Sequence, residues 1–386
     1  MTHSCKQDRN RKKRAILVVL VAGIGDLVLA SRSLKAIRKG WPHAEIHLLT
    51  SSEAAPIARN YSFLDRVWSF PLREMRTNKA YIVDMGKICL DLRKIRFDCI
   101  INLCRVASWL GALKMGLLFL AIKGNERIGH GSKCFRVFLN KEVPTGTFQN
   151  RHFSDAMMEI SVLAGAREDG KDIEVFWDQK SEKRWLHLFS TESEHVRQIR
   201  VGINPGGDRK NRRWDAGKYA MVADCLVECF NAKIILFGGP GEEDVAGRVE
   251  RNMKHGVTSL AGRLTINELA YTLSQLDLLI TNDSGPMHIA AARRTPTVGI
   301  FGPGDPKLFH PYMSPEKYVV IYKNLDCQPC EKNRCSNLSC LRDISANEVF
   351  EAARKLLSVE REEKGTFEIS DGNSGDINTS KLRRAT

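Results

Sequence analysis

Residues 15 to 30 read A-I-L-V-V-L-V-A-G-I-G-D-L-V-L-A. The run from Ala15 to Ala22 is apolar and rich in Val, Ile and Leu, the composition of a strand buried on both faces of a parallel sheet. Gly23 and Gly25 break it. Leu27, Leu34 and Ile37 then recur at helical spacing, so Asp26 falls where the strand hands over to a helix. That is the carboxyl edge of the sheet, where open α/β folds take their ligands.

The same alternation continues outward from this stretch. Strands are expected at 45–50, 66–70 and 98–103, and helices at 52–59, 78–95, 107–122 and 153–163. Residues 165–198 are strongly polar around a short helix near Trp185 and read as a connection. The pattern then restarts. Strands are expected at 199–204, 233–237, 278–281 and 297–301, the first, second and fourth ending in Pro-Gly-Gly, Gly-Gly-Pro-Gly or Gly-Pro-Gly. Thr265 to Glu268 and Ser345 to Glu348 are capping boxes that open helices. Strands alternating with helices of this length indicate βαβ units. The chain therefore divides into a basic tail at 1–14, a first α/β domain at 15–178, a second at 199–357, and a polar, disordered tail at 358–386.

Of 386 residues, 59 are Lys or Arg and 45 Asp or Glu, a net charge of +14. Such an excess suits an anionic partner, whether nucleic acid, membrane surface or phosphorylated substrate, or else a solvated basic surface. Residues 9–30 imitate a signal peptide, but Gly-Ile-Gly-Asp interrupts the apolar core and cleavage after Ala30 would delete the first strand. Trp109 to Ile122 is too short to span a bilayer and carries Lys114. It reads as a core helix, with docking on a membrane surface as the other reading.

Gly23-Ile24-Gly25 begins a dinucleotide fingerprint, yet Val28 stands where the third glycine belongs, and the second strand ends in Thr50-Ser51-Ser52 without the ribose-binding carboxylate. A nicotinamide site is set aside. What remains is a Gly turn and one carboxylate, with Asp26 either a helix cap or a general base. The second half is better equipped for a diphosphate. N-P-G-G-D-R-K-N-R-R-W at 204–214 places Gly206, Lys210, Arg212 and Arg213 beyond a strand end. T-N-D-S-G-P-M-H at 281–288 offers Ser284 as N-cap and Gly285 for close backbone approach. Each loop alone is also ordinary turn chemistry.

Together these motifs, with R-I-G at 127–129, F-G-G-P-G-E at 237–242, T-N-D-S-G-P-M-H-I-A-A-A at 281–292 and F-G-P at 301–303, resemble the heptosyltransferase family, glycosyltransferase family 9. The resemblance spans roughly 15–357. It implies a GT-B fold, two Rossmann-like domains facing across a cleft, with the acceptor on the first domain and the nucleotide sugar on the second. It implies an inverting, metal-independent transfer of heptose from ADP-heptose to a lipid-linked, phosphorylated lipopolysaccharide inner-core acceptor. Asp26 falls on the family's catalytic aspartate. Gly206, Lys210, Arg212, Arg213, Glu242, Asp283, Ser284, Gly285, Met287 and His288 fall on the donor side, and Gly25 and Arg127 on the acceptor side. Many members carry Lys-x-Trp-Pro where this chain has Arg212-Arg213-Trp214-Asp215, which leaves a UDP- or GDP-sugar as the alternative donor. No cofactor is expected for the transfer. The implied location is the cytoplasm, with peripheral contact at the inner face of the plasma membrane.

Cys327, Cys330, Cys335 and Cys340 are spaced Cys-x2-Cys-x4-Cys-x4-Cys. They read as structural zinc ligands, as reduced packing thiols, or as a disulfide or iron–sulfur set, outside the transfer chemistry in every case. A reading from another class, a basic nucleic-acid-binding protein with a zinc knuckle, lacks the aromatics that would interleave the basic run. Nucleic acid is therefore not expected as a partner.

Overall fold

The structure, a computed structural model, describes residues 14–71, 81–106, 108–144, 151–190, 198–330, 332 and 335–363. The basic run at 9–13, the beginning of the helix expected from 78 and the tail from 364 lie outside them.

The residues form two compact units. One comprises the chain up to Ala22, Arg32–Thr147 and Asp155–Gly170; the other comprises Gly23–Ser31, Phe148–Ser154 and the chain from Lys171. The units are thus discontinuous in sequence, and the helix after the first strand contributes residues to both.

The first unit is built on a six-stranded sheet of order β3-β2-β1-β4-β5-β6. Its strands are β1 (Ala15–Leu20), β2 (Glu45–Ser51), β3 (Arg66–Phe70), β4 (Phe97–Asn102), β5 (Gly124–His130) and β6 (Lys141–Val143). Every pairing is parallel. All six residues of β1 are buried, as a central strand covered on both faces demands. The strand order reverses between β1 and β4, so the chain leaving β1 sits at the switch point. Helices α1 (Ile24–Gly40), α2 (Ala55–Ala58), α3 (Tyr81–Lys94), α4 (Trp109–Ala121) and α5 (Phe153–Leu163) follow in chain order. Buried Arg32 fixes the middle of α1, donating to Asp155 at 2.7 Å, to Glu168, and to the Gly170 carbonyl at 3.1 Å. The helix expected over 52–59 is confined to α2, because Pro56 suits only a first turn.

The second unit repeats the plan with the order β12-β11-β10-β7-β8-β9, again all parallel. These strands are β7 (Arg200–Asn204), β8 (Lys233–Leu236), β9 (Thr258–Ser259), β10 (Leu278–Asn282), β11 (Thr297–Ile300) and β12 (Tyr318–Ile321). Here the order reverses between β7 and β10, which lays the loops after Asn204 and after Asn282 side by side. Helices α6 (Gln179–Ser190), α7 (Ala216–Phe230), α8 (Glu243–Asn252), α9 (Ile266–Ser274), α10 (Gly285–Ala292), α11 (Pro306–Phe309), α12 (Ser339–Arg342) and α13 (Ala346–Glu363) accompany the sheet. Val201, Ile203, Leu236, Leu278 and Ile280 form its core with Tyr219, Val222, Val349 and Phe350 of α7 and α13. Both capping boxes are present: Thr265 with Glu268, and Ser345 with Glu348. Helix α13 runs past the expected end at Leu357 to Glu363, so residues 358–363 are helical and not a disordered tail.

The beginning of α1 is tied into this unit by the Ser154 hydroxyl, which donates to the Leu29 carbonyl at 2.8 Å. The Glu174 amide also donates to the Ser31 hydroxyl at 2.7 Å.

Candidate active site

The turn after β1 places Asp26 in the first turn of α1, where a carboxylate meets the positive end of the helix dipole. One oxygen accepts from the Gly23 amide at 3.1 Å, so the side chain folds back over its own turn. That contact is a cap, and it leaves Asp26 half-buried, not sealed.

Within the second unit this turn meets the start of α10. A Cβ built on Gly25 would lie 2.6 Å from His288 Cδ2 and 3.4 Å from Gly285 Cα, and one on Gly285 would lie 3.6 Å from the Gly25 nitrogen. Glycine is thus required at 25, where two helix starts face each other, whereas a side chain at 285 would make only ordinary contact. The residue beside Asp26 is therefore packed on the 283–288 loop.

His288 is buried at this contact, and its Nδ1 is buried without a hydrogen-bond partner. Burial, with His152 and His310 nearby, pushes its pKa down to about 3. The imidazole is neutral at physiological pH, so it offers a sugar a neutral partner and offers a phosphate no cation. The rings of His152 and His310 lie 4.5 Å apart, and His310 stacks on Tyr318. Met287 is wholly buried with its sulfur toward Gly299, so its side chain belongs to the core and is not available to a donor.

Asp283 and Arg212 come together from the two loops at the switch point. Arg212 Nη1 donates to Asp283 Oδ2 at 2.6 Å, with the two side chains 20% and 5% exposed. Arg212 Nε is buried and has no partner, which leaves part of the guanidinium unspent. Ser284 occupies the N-cap position of α10, but its side chain makes no capping bond. Its hydroxyl instead meets Thr281 at 3.2 Å and accepts from Asn204 Nδ2 at 3.3 Å.

Glu242 organises the neighbouring Gly loops. Its carboxylate accepts from the Gly207 amide at 2.6 Å and the Gly239 amide at 2.8 Å, and a Cβ on Gly206 would strike it. Arg213 closes the set, donating to the Gly207 carbonyl at 2.6 and 2.9 Å and to Glu242 at 3.3 Å. Arg213 is thus committed to the loop's own backbone. Lys210 projects from a short 3-10 turn, Lys210–Arg212, and is exposed.

Asn282, which no sequence motif singles out, holds this arrangement. Its amide donates to the Pro205 and Gly206 carbonyls, both at 2.9 Å, and its oxygen accepts from the Trp214 amide and the Tyr219 hydroxyl. A fully buried amide that satisfies every bond fixes one loop conformation. The T-N-D run was visible in the sequence, but nothing local marks Asn282 as a bridge to residues so distant in the chain.

Arg127 lies in the first unit, in the middle of β5. It is level with Ile100 of β4, which is itself level with Leu17 of β1. The carboxyl edge of that sheet instead carries Thr50, Ser51, Asn102 and His130, so Arg127 does not stand with the loops that follow the strands.

The four clustered cysteines are free thiols. Cys340 is buried while Cys327 and Cys335 are exposed. Burial, reinforced by the other three thiols, pushes the Cys340 thiol up. Among the described residues no three His, Cys, Asp or Glu side chains are gathered to hold a metal ion. No disulfide joins these four thiols.

Two all-parallel sheets of Rossmann order, with Gly loops and a paired carboxylate and guanidinium at a switch point, define an α/β protein of the GT-B class. The chain belongs to glycosyltransferase family 9 (heptosyltransferase), whose sequence model matches residues 85–340, and is a glycosyltransferase. It is 26% identical over 341 residues to lipopolysaccharide heptosyltransferase 3 of Escherichia coli, covering 86% of this chain and 96% of that one. Its fold is similar to the crystal structure of a family 9 glycosyltransferase from Veillonella parvula, with a TM-score of 0.75 at 22% identity over 91% of this chain and 100% of that one. It is also similar to E. coli ADP-heptose LPS heptosyltransferase II, with a TM-score of 0.67 at 20% identity over 90% and 99% of the two chains. Among the described residues no helix is long and apolar enough to cross a membrane.

Proposed function

We propose that the protein is an inverting heptosyltransferase that moves heptose from ADP-heptose to a lipid-linked, phosphorylated lipopolysaccharide inner-core acceptor, with Asp26 as general base. The observation that carries this reading is the packing of Gly25 on His288 and Gly285, which sets Asp26 beside the loop expected to hold the donor. The relatives named for lipopolysaccharide and ADP-heptose support the substrate class.

In the proposed step, the Asp26 carboxylate takes the proton of an acceptor hydroxyl as that oxygen attacks the anomeric carbon. The bond to the diphosphate breaks on the opposite face, through a state of oxocarbenium character. The departing diphosphate gains negative charge, which Arg212 and Lys210 neutralise in place of a metal ion. Asp283 orients Arg212 and balances its charge before substrate arrives. Glu242, Gly206 and Arg213 shape the loop that receives the nucleotide, while Ser284, Gly285 and His288 line the sugar end. Arg127 on the acceptor side rests on the family motif alone. The enzyme works in the cytoplasm, at the inner face of the membrane.

A panel of ADP-, UDP- and GDP-sugars offered with EDTA present tests the donor and the metal independence together. Turnover of ADP-heptose undiminished by EDTA supports the reading. Turnover of a UDP- or GDP-sugar alone assigns the other donor, and activity abolished by EDTA and restored by a divalent cation overturns the metal-free mechanism.

A further inference from the structure

Helix α4 is apolar on two faces, and the fold uses one of them. Ala112, Gly116 and Phe119 face inward, and Gly116 fits so closely under Phe138 that a Cβ there would meet the ring at 2.3 Å. The opposite face, Trp109, Leu110, Leu113, Leu117 and Leu120, is 49–63% exposed. A surface helix ordinarily turns polar side chains outward, so a row of five large apolar ones calls for a partner. Val83 and Leu90 of the adjacent helix α3 are also exposed, and Lys87 lies between them on the same stripe.

Charge decides what the partner is. A groove of about 590 Å³ beside this face is lined by Lys87, Leu90, Asp91, Arg93, Lys94 and Lys123. Its single carboxylate, Asp91, is already paired with Lys94 at 2.7 Å. From Arg105 to Lys123 the sequence holds three cations and no carboxylate. We infer that the α3 and α4 face of the first unit docks on an anionic phospholipid bilayer, with the leucines of α4 entering the acyl boundary and lipid phosphates meeting the Lys87, Arg93 and Lys123 groove.

Geometry and electrostatics fit that occupant. Helix α4 has 13 residues, about 20 Å, which is short of a hydrocarbon core of about 30 Å, so it lies in the interface and does not span it. Trp109 at its end suits the headgroup level. A second copy seated on this face would bring two basic grooves together, which like-charge repulsion opposes. The inference deepens the reading of a lipid-linked acceptor and rests on it for its purpose, while the docking itself is measured without substrate.

The test is co-sedimentation of the full chain with vesicles of phosphatidylglycerol and phosphatidylcholine, against vesicles of phosphatidylcholine alone. Binding is expected only to the anionic vesicles and should weaken with salt. Leu113→Gln with Leu117→Gln, and separately Lys87→Gln with Lys123→Gln, should each lower the vesicle partition coefficient about tenfold or more. Turnover of nucleotide sugar with a delipidated acceptor should remain unchanged in both variants. Wild-type protein that ignores anionic vesicles overturns the proposal, as does a stable dimer that the leucine variant converts to monomer. Wild-type protein that binds vesicles but turns over no nucleotide sugar leaves the docking standing and removes the enzymatic reading instead.

Discussion

Gly25 and His288 are packed so closely that one added methyl group would lie 2.6 Å from the imidazole Cδ2. The contact joins the turn carrying Asp26 to the first turn of α10, and it explains in steric terms why a helix start uses glycine. Gly25→Ala sets two effects against each other. A better helix former contributes up to about 1 kcal/mol, whereas overpacking a buried contact costs about 1–3 kcal/mol. The clash should win, with a lowered melting temperature and impaired transfer. Adding His288→Ala should recover part of the loss, and strictly additive effects in that double-mutant cycle would show that the contact is not responsible.

His288 makes stability depend on pH. Its pKa falls from about 6.5 in the unfolded chain to about 3 in the fold, so between those values the unfolded state binds more protons. Stability from this group is fully present above about pH 6.5 and is lost as pH falls toward 3, with a slope approaching about 1.4 kcal/mol per pH unit. Denaturant unfolding of wild type and His288→Phe from pH 4 to 7 measures it. The variant should show the shallower slope, and parallel curves would mean that the imidazole is not held neutral.

The ion pair of Arg212 with Asp283 separates stability from chemistry. Arg212→Ala leaves a buried carboxylate without its cation and should cost about 3 kcal/mol. Asp283→Asn in the same protein should restore much of that stability, since the stranded charge is gone. It should not restore transfer, because the leaving diphosphate still lacks a guanidinium. Unfolding curves and steady-state rates on the single and double variants test this, and recovered activity in the double variant would remove Arg212 from the chemistry.

Much of the fold is legible because β1 is a continuous apolar run, β4 and β10 carry apolar stretches, and capping boxes and Gly loops punctuate the helices. Short polar strands such as Lys141–Val143 escape such a reading, since their place is set by pairing with β5 and not by their own pattern. At the candidate site, the loop residues are visible as motifs, but their partners are not. Nothing in the sequence couples Arg212 to Asp283, or makes Asn282 the staple of the 205–214 loop, because these contacts join segments that only the strand order brings together. Arg127 shows the reverse. Its motif is clear, yet strand register sets it below the loop edge. The apolar helix α4 shows why hydrophobicity alone does not report burial: composition cannot say which of two apolar faces the core will cover.

The proposal that Asp26 is the general base is tested most directly by Asp26→Asn, measured for donor affinity and for turnover in the same preparation. Asparagine keeps the size of the side chain and a carbonyl oxygen for the Gly23 amide, but cannot accept the acceptor's proton. A general base at Asp26 predicts a folded protein that binds ADP-heptose as wild type does, with kcat reduced about 10²- to 10⁴-fold. Transfer at the wild-type rate by a folded Asp26→Asn protein would contradict it and leave Asp26 as a helix cap alone.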